Sequence, residues 1–400
     1  MTYLNEAEKR LPKLIHSIEV DKKIPDSNKK LATGYIEFMR ARGLNTRTVN
    51  KNLYCLAIYL RALGNKNALK ADKITIERAM AQIEGTKYSE HTKHHVRVAV
   101  KQIYKHFLGE DFYYPKQIAW IKVGDGRKGK KLLPADILSE DEIMKMLKAT
   151  TNPRDKAIIA LLFDTGMRVG ELGSMRIKDV DLSKDPAHVV VNGKTGMRQI
   201  PIMFSVPYLV HYMNDMKGRK PSDLMWETVG SWSNTGKIVD YNGIRQMLKR
   251  VGDTAKISKR IYPHLFRHSR ASYYANKLTE QQLKAFFGWS GDSRMASTYV
   301  HLSGRDIDNA VLQANGMKVP EQEKPKLTVK LCQRCQFSNM FEATYCAGCG
   351  ATMDISAAMN AQEAESKMKQ YMSDALKDPK LIGDVVHAYL MQQREKKIKK

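Results

Sequence analysis

Four of the five cysteines in this chain lie within eighteen residues of one another. They form two Cys-x2-Cys pairs and are Cys332, Cys335, Cys346 and Cys349. In a reducing compartment this spacing is typical of metal ligation rather than of disulfides. Two turns that each present a pair of thiolates complete a tetrahedral site and leave no position open for a substrate. The spacing therefore predicts a structural Zn²⁺ ion in a small ribbon.

A second set of chemically useful side chains is spread over five short motifs. In chain order they are Thr165-Gly-Met-Arg168-Val-Gly-Glu171, Gly193-Lys194-Thr-Gly, Pro263-His264-Leu-Phe-Arg267-His268, Gly288-Trp289-Ser290 and Ser297-Thr-Tyr299-Val-His301. Each motif alone is weak, because an Arg–Glu pair or a tyrosine on a helix face is usually structural. The informative feature is their order along the chain.

Taken together, the motifs resemble those of the tyrosine recombinase family of lambda-integrase-like and Xer-like proteins, over roughly residues 25 to 310. The resemblance implies a catalytic set that consists of Arg168, Lys194, His264, Arg267, Trp289 and Tyr299. It further implies supporting roles for Glu171, beside the first arginine, and for His268, after the second. Trp289 replaces the commoner histidine, and its indole N–H can hold an oxygen but cannot shuttle a proton.

The implied chemistry is the transfer of a DNA phosphodiester to a tyrosine. Its five-coordinate state carries extra negative charge, and because no metal-binding carboxylate cluster occurs in this region, cationic side chains must stabilise that charge. Arg168 and Arg267 offer planar, charged forks to the nonbridging oxygens. The resemblance implies that Tyr299 attacks and is linked to the 3′ phosphate, while Lys194 protonates the departing 5′ oxygen and His264 is the acid/base candidate. Strand exchange is predicted to need no cofactor.

The composition agrees with a polyanionic ligand. Lys and Arg number 67 against 42 Asp and Glu, which gives a net charge of +25, and residues 1–135 contribute +14 of it. Hydrophobic residues make up 42%, which excludes a disordered polycation and favours a folded protein that binds nucleic acid. No membrane span or signal peptide is visible, so no membrane partner is expected. The predicted location is the cytoplasm, in association with the nucleoid, or the nucleus if the source is eukaryotic.

The elements that must position these residues are predicted to be mainly helical, with a small β-hairpin in an α+β catalytic domain. Apolar residues recur every three or four positions through the first hundred residues. Capping-box motifs predict helix starts at Ser139 and Thr279. The β-rich segments 188–191 and 198–203 predict a hairpin whose tip carries Lys194.

Seven segments are predicted along the chain. They are an N-terminal extension (1–24), a helical core DNA-binding domain (25–115), a basic linker (116–135), the catalytic domain (136–316), a tether (317–328), the zinc ribbon (329–353) and a helical tail (354–400). The resemblance implies that the core domain grips DNA opposite the catalytic domain. It does not extend to the ribbon and tail, for which two roles stay open: reading DNA or docking a neighbouring protomer.

The predicted function is site-specific recombination or integration of double-stranded DNA, typical of a mobile element. Four copies would exchange strands in a synaptic tetramer through 3′-phosphotyrosyl intermediates. In the absence of DNA the protein could be a monomer. Two alternatives stay open. A type IB topoisomerase uses the same chemistry without synapsis, and a catalytically silent DNA-binding or architectural protein would retain only the fold. The intact set of active-site residues argues against the second.

Overall fold

A computed structural model describes residues 2–109, 113–124, 134–193, 196–214, 216, 218–227, 239, 241–275, 277–300, 311–312, 314–317, 326–375 and 377. The chain divides into two compact units, Met1–Ala135 and Asp136–Lys400. Lys194, His301, residues 125–133 of the predicted linker, most of the predicted tether and the end of the predicted tail lie outside the described residues. None of the described helices is both long and apolar enough to cross a membrane.

The described part of the first unit is helical. Its helices are α1 (Thr2–Glu19), α2 (Asp26–Ala41), α3 (Thr46–Leu63), α4 (Lys73–Glu84) and α5 (Glu90–Leu108), with a 3-10 turn at Ala68–Lys70. Asn45, Asp72 and Ser89 each accept a hydrogen bond from a backbone N–H three residues later, which fixes where α3, α4 and α5 begin.

Helix α3 lies at the centre of this unit, because it packs against α1, α2, α4 and α5. Leu53, Leu56 and Leu60 are fully buried along it. Cys55, on the same helix, is 2% exposed and belongs to this core. The buried Tyr104 hydroxyl donates to the carbonyl of Ala68 at 2.6 Å, so the core leaves this polar group satisfied.

The second unit combines helices with small antiparallel sheets. Its helices are α6 (Glu140–Lys148), α7 (Pro153–Thr165), α8 (Val169–Ser174), α9 (Val206–Asn214), α10 (Tyr241–Thr254), α11 (Pro263–Ala275), α12 (Glu280–Phe287), α13 (Met295–Val300) and α14 (Ile355–Ala375), with a 3-10 turn at Ile177–Asp179. A further 3-10 turn, Pro134–Asp136, spans the boundary between the two units in the sequence. Its strands are β1 (Val180–Asp181), β2 (Ala187–Gly193), β3 (Gly196–Ile202), β4 (Lys330–Leu331) and β5 (Ser338–Asn339). The predicted class, mainly helical with a small hairpin, is confirmed.

The strands of the predicted hairpin and both predicted helix starts are confirmed, while the hairpin tip at Lys194 lies outside the described residues. Strands β2 and β3 pair in antiparallel register from Ala187↔Ile202 to Gly193↔Gly196, and β1 pairs with β2. Ser139 and Thr279 both form complete capping boxes, in which the cap side chain and the third helical residue exchange hydrogen bonds.

Helix α7 organises the core of the second unit. Its residues 157–162 are fully buried because α6, α9, α11 and β3 pack around it. The helix ends at Thr165 and is capped by Gly166, whose φ of 55° is left-handed. A Cβ atom at Gly166 would lie 2.9 Å from Phe287 Cε1, so only glycine lets the chain turn here toward Arg168.

Candidate active site

Glu171 is a buried carboxylate shared by two arginines. It accepts from Arg168 through the backbone N–H at 2.9 Å and Nη1 at 2.8 Å, and from Arg198 through Nη1 at 2.9 Å and Nη2 at 2.7 Å. Burial acts to raise the pKa of Glu171, but the hydrogen bonds from Arg198 and Arg168 lower the pKa to about 2. Glu171 is therefore ionised and fixes both guanidinium groups.

Arg267 is held differently, by main-chain carbonyls. Its Nη1 donates to Gly166 O at 3.1 Å and its Nη2 to Phe287 O at 2.6 Å, while Arg168 Nη2 donates to the next carbonyl, Gly288 O, at 3.0 Å. The two guanidinium groups thus bond to adjacent peptide units. Burial and the charge of Arg168 lower the pKa of Arg267 to about 9, so it stays charged at neutral pH.

The cluster carries an excess of positive charge. Three guanidinium groups, on Arg168, Arg198 and Arg267, surround the single carboxylate of Glu171. Within the described part of the chain, no carboxylate forms an ion pair with Arg267. A buried cation without a carboxylate partner is stabilised when an anion binds, so the cluster suits a phosphate group.

Tyr299, on α13, lies beside these arginines and is only 3% exposed. Its ring is parallel to that of Trp289, with centroids 5.6 Å apart and an interplanar angle of 2°. Its hydroxyl lies 2.5 Å from His268 Nδ1. Burial raises the pKa of Tyr299 to about 12, and burial together with His264 and Arg267 lowers the pKa of His268 to about 4. At neutral pH the protonated phenol therefore donates to the neutral imidazole.

His264 is the exposed histidine of the site. It lies in the first turn of α11, one residue after Pro263, and its ring is nearly perpendicular to that of His268, with centroids 4.9 Å apart. Desolvation by surrounding protein atoms, with repulsion from Arg267 and Arg168, lowers the pKa of His264. Helix α11 thus presents His264, Arg267 and His268 on successive positions of one face, as a spacing of three to four residues requires.

The structure brings together most of the side chains predicted for the site. Those in contact are Arg168, Glu171, His264, Arg267, His268, Trp289 and Tyr299. Lys194 lies outside the described residues. Its neighbour Gly193 is described, and a Cβ atom there would lie 2.4 Å from Glu171 Oε1. The end of strand β2 therefore approaches the arginine cluster closely.

Arg198 is the site residue that the motifs missed. Besides its two bonds to Glu171, its Nε donates to Phe286 O at 3.0 Å. A signal was present in the sequence: Arg198 alternates with Ile200 and Ile202, which are buried, so the strand period places this charge on the buried face. A charged residue on that face must have a partner.

The four predicted cysteine ligands form a separate cluster. Their sulfur atoms all lie within 4.8 Å of one another, with Cys332 and Cys349 3.6 Å apart and Cys335 and Cys346 3.5 Å apart. The backbone N–H of Gly348 points at Cys346 Sγ at 3.4 Å. Such a cluster could bind a metal ion.

A buried tyrosine, hydrogen-bonded to an imidazole beside two guanidinium groups, is an arrangement suited to phosphoryl transfer through the tyrosine. Comparisons with known proteins agree. Residues 136–305 match the Phage integrase family. The resemblance to tyrosine recombinases inferred from the motifs is confirmed.

Two similar proteins are both named tyrosine recombinases. Tyrosine recombinase XerD of Bifidobacterium longum (strain NCC 2705) is 26% identical over 248 residues, which cover 58% of this chain and 79% of the relative. Tyrosine recombinase XerC of Bacillus subtilis (strain 168) is 29% identical over 225 residues, which cover 54% of this chain and 71% of the relative. A solved lambda integrase dimer bound to a COC′ core site shares the fold, with a TM-score of 0.55 and 16% identity over 74% of this chain and 80% of that one.

Proposed function

We propose that this chain is a site-specific recombinase or integrase that cleaves and rejoins double-stranded DNA through a 3′-phosphotyrosyl link to Tyr299. The observation that carries the proposal is the hydrogen bond between the buried Tyr299 hydroxyl and His268, beside Arg168 and Arg267. Relatives named tyrosine recombinases and the fold shared with a DNA-bound lambda integrase support it.

The arginines are assigned to the scissile phosphate. Arg267, whose charge has no carboxylate partner among the described residues, binds one nonbridging oxygen, and Arg168 binds the other. Glu171 and Arg198 hold Arg168 in place, so its fork is oriented before DNA arrives. Groups that are preorganised in this way stabilise the charge of the five-coordinate state without reorganising during the reaction.

The proton transfers follow from the neighbours of Tyr299. As Tyr299 Oη bonds to phosphorus, its proton passes to His268 Nδ1, and the bond from phosphorus to the 5′ oxygen breaks. His264, exposed and in ring contact with His268, is the acid/base group that faces solvent and the phosphate. Lys194 is assigned the protonation of the 5′ oxygen, as the family resemblance implies. Trp289 holds the ring of Tyr299 and offers its N–H to a phosphate oxygen.

We assign the first unit to the grip on duplex DNA. A groove of about 730 Å³ between α1 and α3 is lined by Arg10, Lys13, Arg47 and Lys51, which supports a role in binding the phosphate backbone. Strand exchange is proposed to occur in a tetramer on DNA, with the catalytic domain at residues 136–316 and the core domain at 25–115. A protein with this activity would work at the nucleoid, or in the nucleus of a eukaryote.

We also propose that the four cysteines bind a structural zinc ion. A zinc–sulfur distance of about 2.3 Å in a tetrahedron places the sulfurs roughly 3.8 Å apart, close to the 3.5 and 3.6 Å that separate the two sulfur pairs in the structure. Asn339 Nδ2 lies 3.5 Å from Cys346 Sγ, and such N–H groups stabilise thiolate ligands. When bound, the ion would cross-link the two Cys-x2-Cys turns.

The nucleophile assignment can be tested with a nicked suicide substrate that carries a candidate recombination site. Wild-type protein is expected to trap a covalent adduct that survives denaturation, and Tyr299→Phe is expected to abolish it. Tyr273→Phe, on α11, is the matched control and should leave the adduct unchanged. An adduct that persists in Tyr299→Phe would contradict the assignment. On supercoiled plasmids, rearranged junctions would support recombination, whereas relaxed circles with unchanged sequence would indicate topoisomerase-like activity.

A further inference from the structure

We propose that the loop between the two cysteine pairs, residues 336–345, is a metal-dependent brace on the catalytic domain of its own chain. This brace binds a face formed by α6, α7 and the start of α9. The proposal rests on the zinc site proposed above and goes beyond the recombination chemistry.

Aromatic packing forms the first part of this contact. The ring of Phe341 stacks on that of Phe204, with centroids 6.5 Å apart and an interplanar angle of 27°. Lys148 Nζ lies 5.9 Å from the centroid of Phe341. Met340 and Phe341 both pack against the main core of the catalytic unit. The ribbon therefore covers part of that core and removes apolar surface from water.

The second part of this contact is polar and is formed by the largely buried side chain of Glu342. One carboxylate oxygen lies 2.7 Å from Lys156 Nζ, and the other accepts from the Tyr208 hydroxyl at 2.5 Å. The side chains of Lys156 and Glu342 are each 20% exposed, and Tyr208 is 1% exposed. Burial and the charge of Glu342 raise the pKa of Tyr208, so the phenol stays protonated and donates. Removing Glu342 would leave two shielded polar groups without their acceptor.

The chain that enters the ribbon is fixed to the same unit. The backbone N–H groups of Lys326 and Leu327 donate to Glu140 at 2.6 and 3.2 Å, and Leu327 is buried in the core. Attachment at both Leu327 and Phe341 leaves the intervening turn, with Cys332 and Cys335, little freedom to move away.

The loop depends on the metal for its shape. Strands β4 and β5 pair over only two residues each, and the buried Asn339 links the turns by donating to Phe337 O at 2.8 Å and accepting from Ala347 N at 2.8 Å. So small a segment has too little core to fold unaided, and metal binding supplies its folding free energy. Phe341 and Glu342 lie between Cys335 and Cys346, so loss of the ion would release them.

The face that the brace covers leads directly to the active site. Phe204 lies in the connection between β3 and α9, and Tyr208 lies in the first turn of α9. Asp164, near the end of α7, accepts hydrogen bonds from that connection. Its Oδ2 accepts from Met203 N at 2.8 Å and Ser205 N at 3.0 Å. Strand β3 carries Arg198, and α7 ends three residues before Arg168. We therefore expect metal loss to loosen the arginine cluster's support.

Hydrogen exchange of the full-length protein tests the brace. Zinc content is measured first with a colorimetric chelator, and exchange is then compared before and after zinc is stripped. We expect the amides of 203–209 and of α7 to exchange about tenfold faster or more without zinc, whereas α3 in the first unit stays unchanged. Equal exchange at 203–209 in both states would overturn the brace.

A docking variant separates the brace from the metal site. Phe341→Ala with Glu342→Gln keeps all four cysteines, so it should still hold zinc yet show the fast exchange at 203–209 even when zinc is bound. The control is Glu363→Gln, whose residue pairs with Lys367 on the exposed surface of α14 and should behave like wild type. If the zinc-bound docking variant protects the amides of 203–209 from exchange as well as wild type does, the proposal is refuted. Protein that binds no zinc would instead refute the zinc site, and the metal dependence with it.

Discussion

Arg168 and Arg267 are two cations that the protein orients toward a phosphate in different ways. Arg168 is oriented by a carboxylate that it shares with Arg198, so part of its charge is neutralised. Arg267 is oriented by neutral carbonyls, so its full charge remains for an incoming anion. Carbonyl contacts give orientation without neutralisation. We therefore expect Arg267 to contribute more to charge stabilisation and Arg168 to contribute more to placement.

Arg198 is predicted to act through Arg168. In Arg198→Ala, Glu171 loses two hydrogen bonds and its carboxylate is free to turn fully toward Arg168, which misplaces that fork. We expect the single-turnover rate of covalent adduct formation to fall by roughly 10- to 100-fold, as is usual when a group that positions another is removed. Arg250→Ala, at a 70% exposed arginine paired with Asp155, is the control and should change the rate little. A wild-type rate in Arg198→Ala at saturating DNA would rule out this role.

At the scale of elements, the hairpin β2–β3 connects two parts of the site. Strand β3 brings Arg198 to Glu171, and the last residue of β2, Gly193, is opposite Gly196 at the end next to Lys194. The approach of Gly193 to Glu171 needs a residue without a side chain. The position of the hairpin end is thereby tied to the same carboxylate that orients the arginines.

Gly193→Ala is predicted to separate hairpin placement from folding. Its Cβ would lie 2.4 Å from Glu171 Oε1, so the strand end must move, while the pairing from Ala187 to Val191 can persist. We expect cleavage of a suicide substrate to slow on the order of 10²-fold, because small misplacements of reacting groups cost that much. Thermal unfolding should change far less. Asn192→Ala, at the exposed neighbouring position, serves as control; equal rates for both variants would argue against the steric account.

The elements were more predictable than their contacts. Capping boxes at Ser139 and Thr279 and the strand pattern around Lys194 are local signals, and each appears where the residues indicate. The hydrogen bond between His268 and Tyr299 depends on how α13 packs on α11, which no local pattern encodes. The same holds for Glu342, whose partner Lys156 is 186 residues away. Side-chain pairing across packed elements is set by tertiary structure rather than by propensity.

At the scale of the whole molecule, the net charge of +25 is unevenly distributed. Residues 1–135 carry +14, and in that unit Arg10, Lys13, Arg47 and Lys51 line one groove. In the catalytic unit, by contrast, the cations of the site are held by Glu171 and by carbonyls around a place for one phosphate. The groove favours DNA affinity that depends on salt, and the arginine site favours the chemical step of cleavage. DNA affinity and cleavage rate should therefore respond to different substitutions.

Lys51→Gln is predicted to weaken DNA binding while leaving the chemical step intact. Each lysine that neutralises a phosphate releases condensed counterions, so its loss should make the slope of log K against log salt shallower by about 0.9. Affinity for duplex DNA is measured by fluorescence anisotropy across a salt series, and adduct formation is measured at saturating DNA. Lys73→Gln, on α4 and paired with Glu77, is the control and should keep the wild-type slope. An unchanged slope in Lys51→Gln would place the duplex elsewhere on the first unit, because a groove that contacts the backbone cannot lose a cation without losing counterion release.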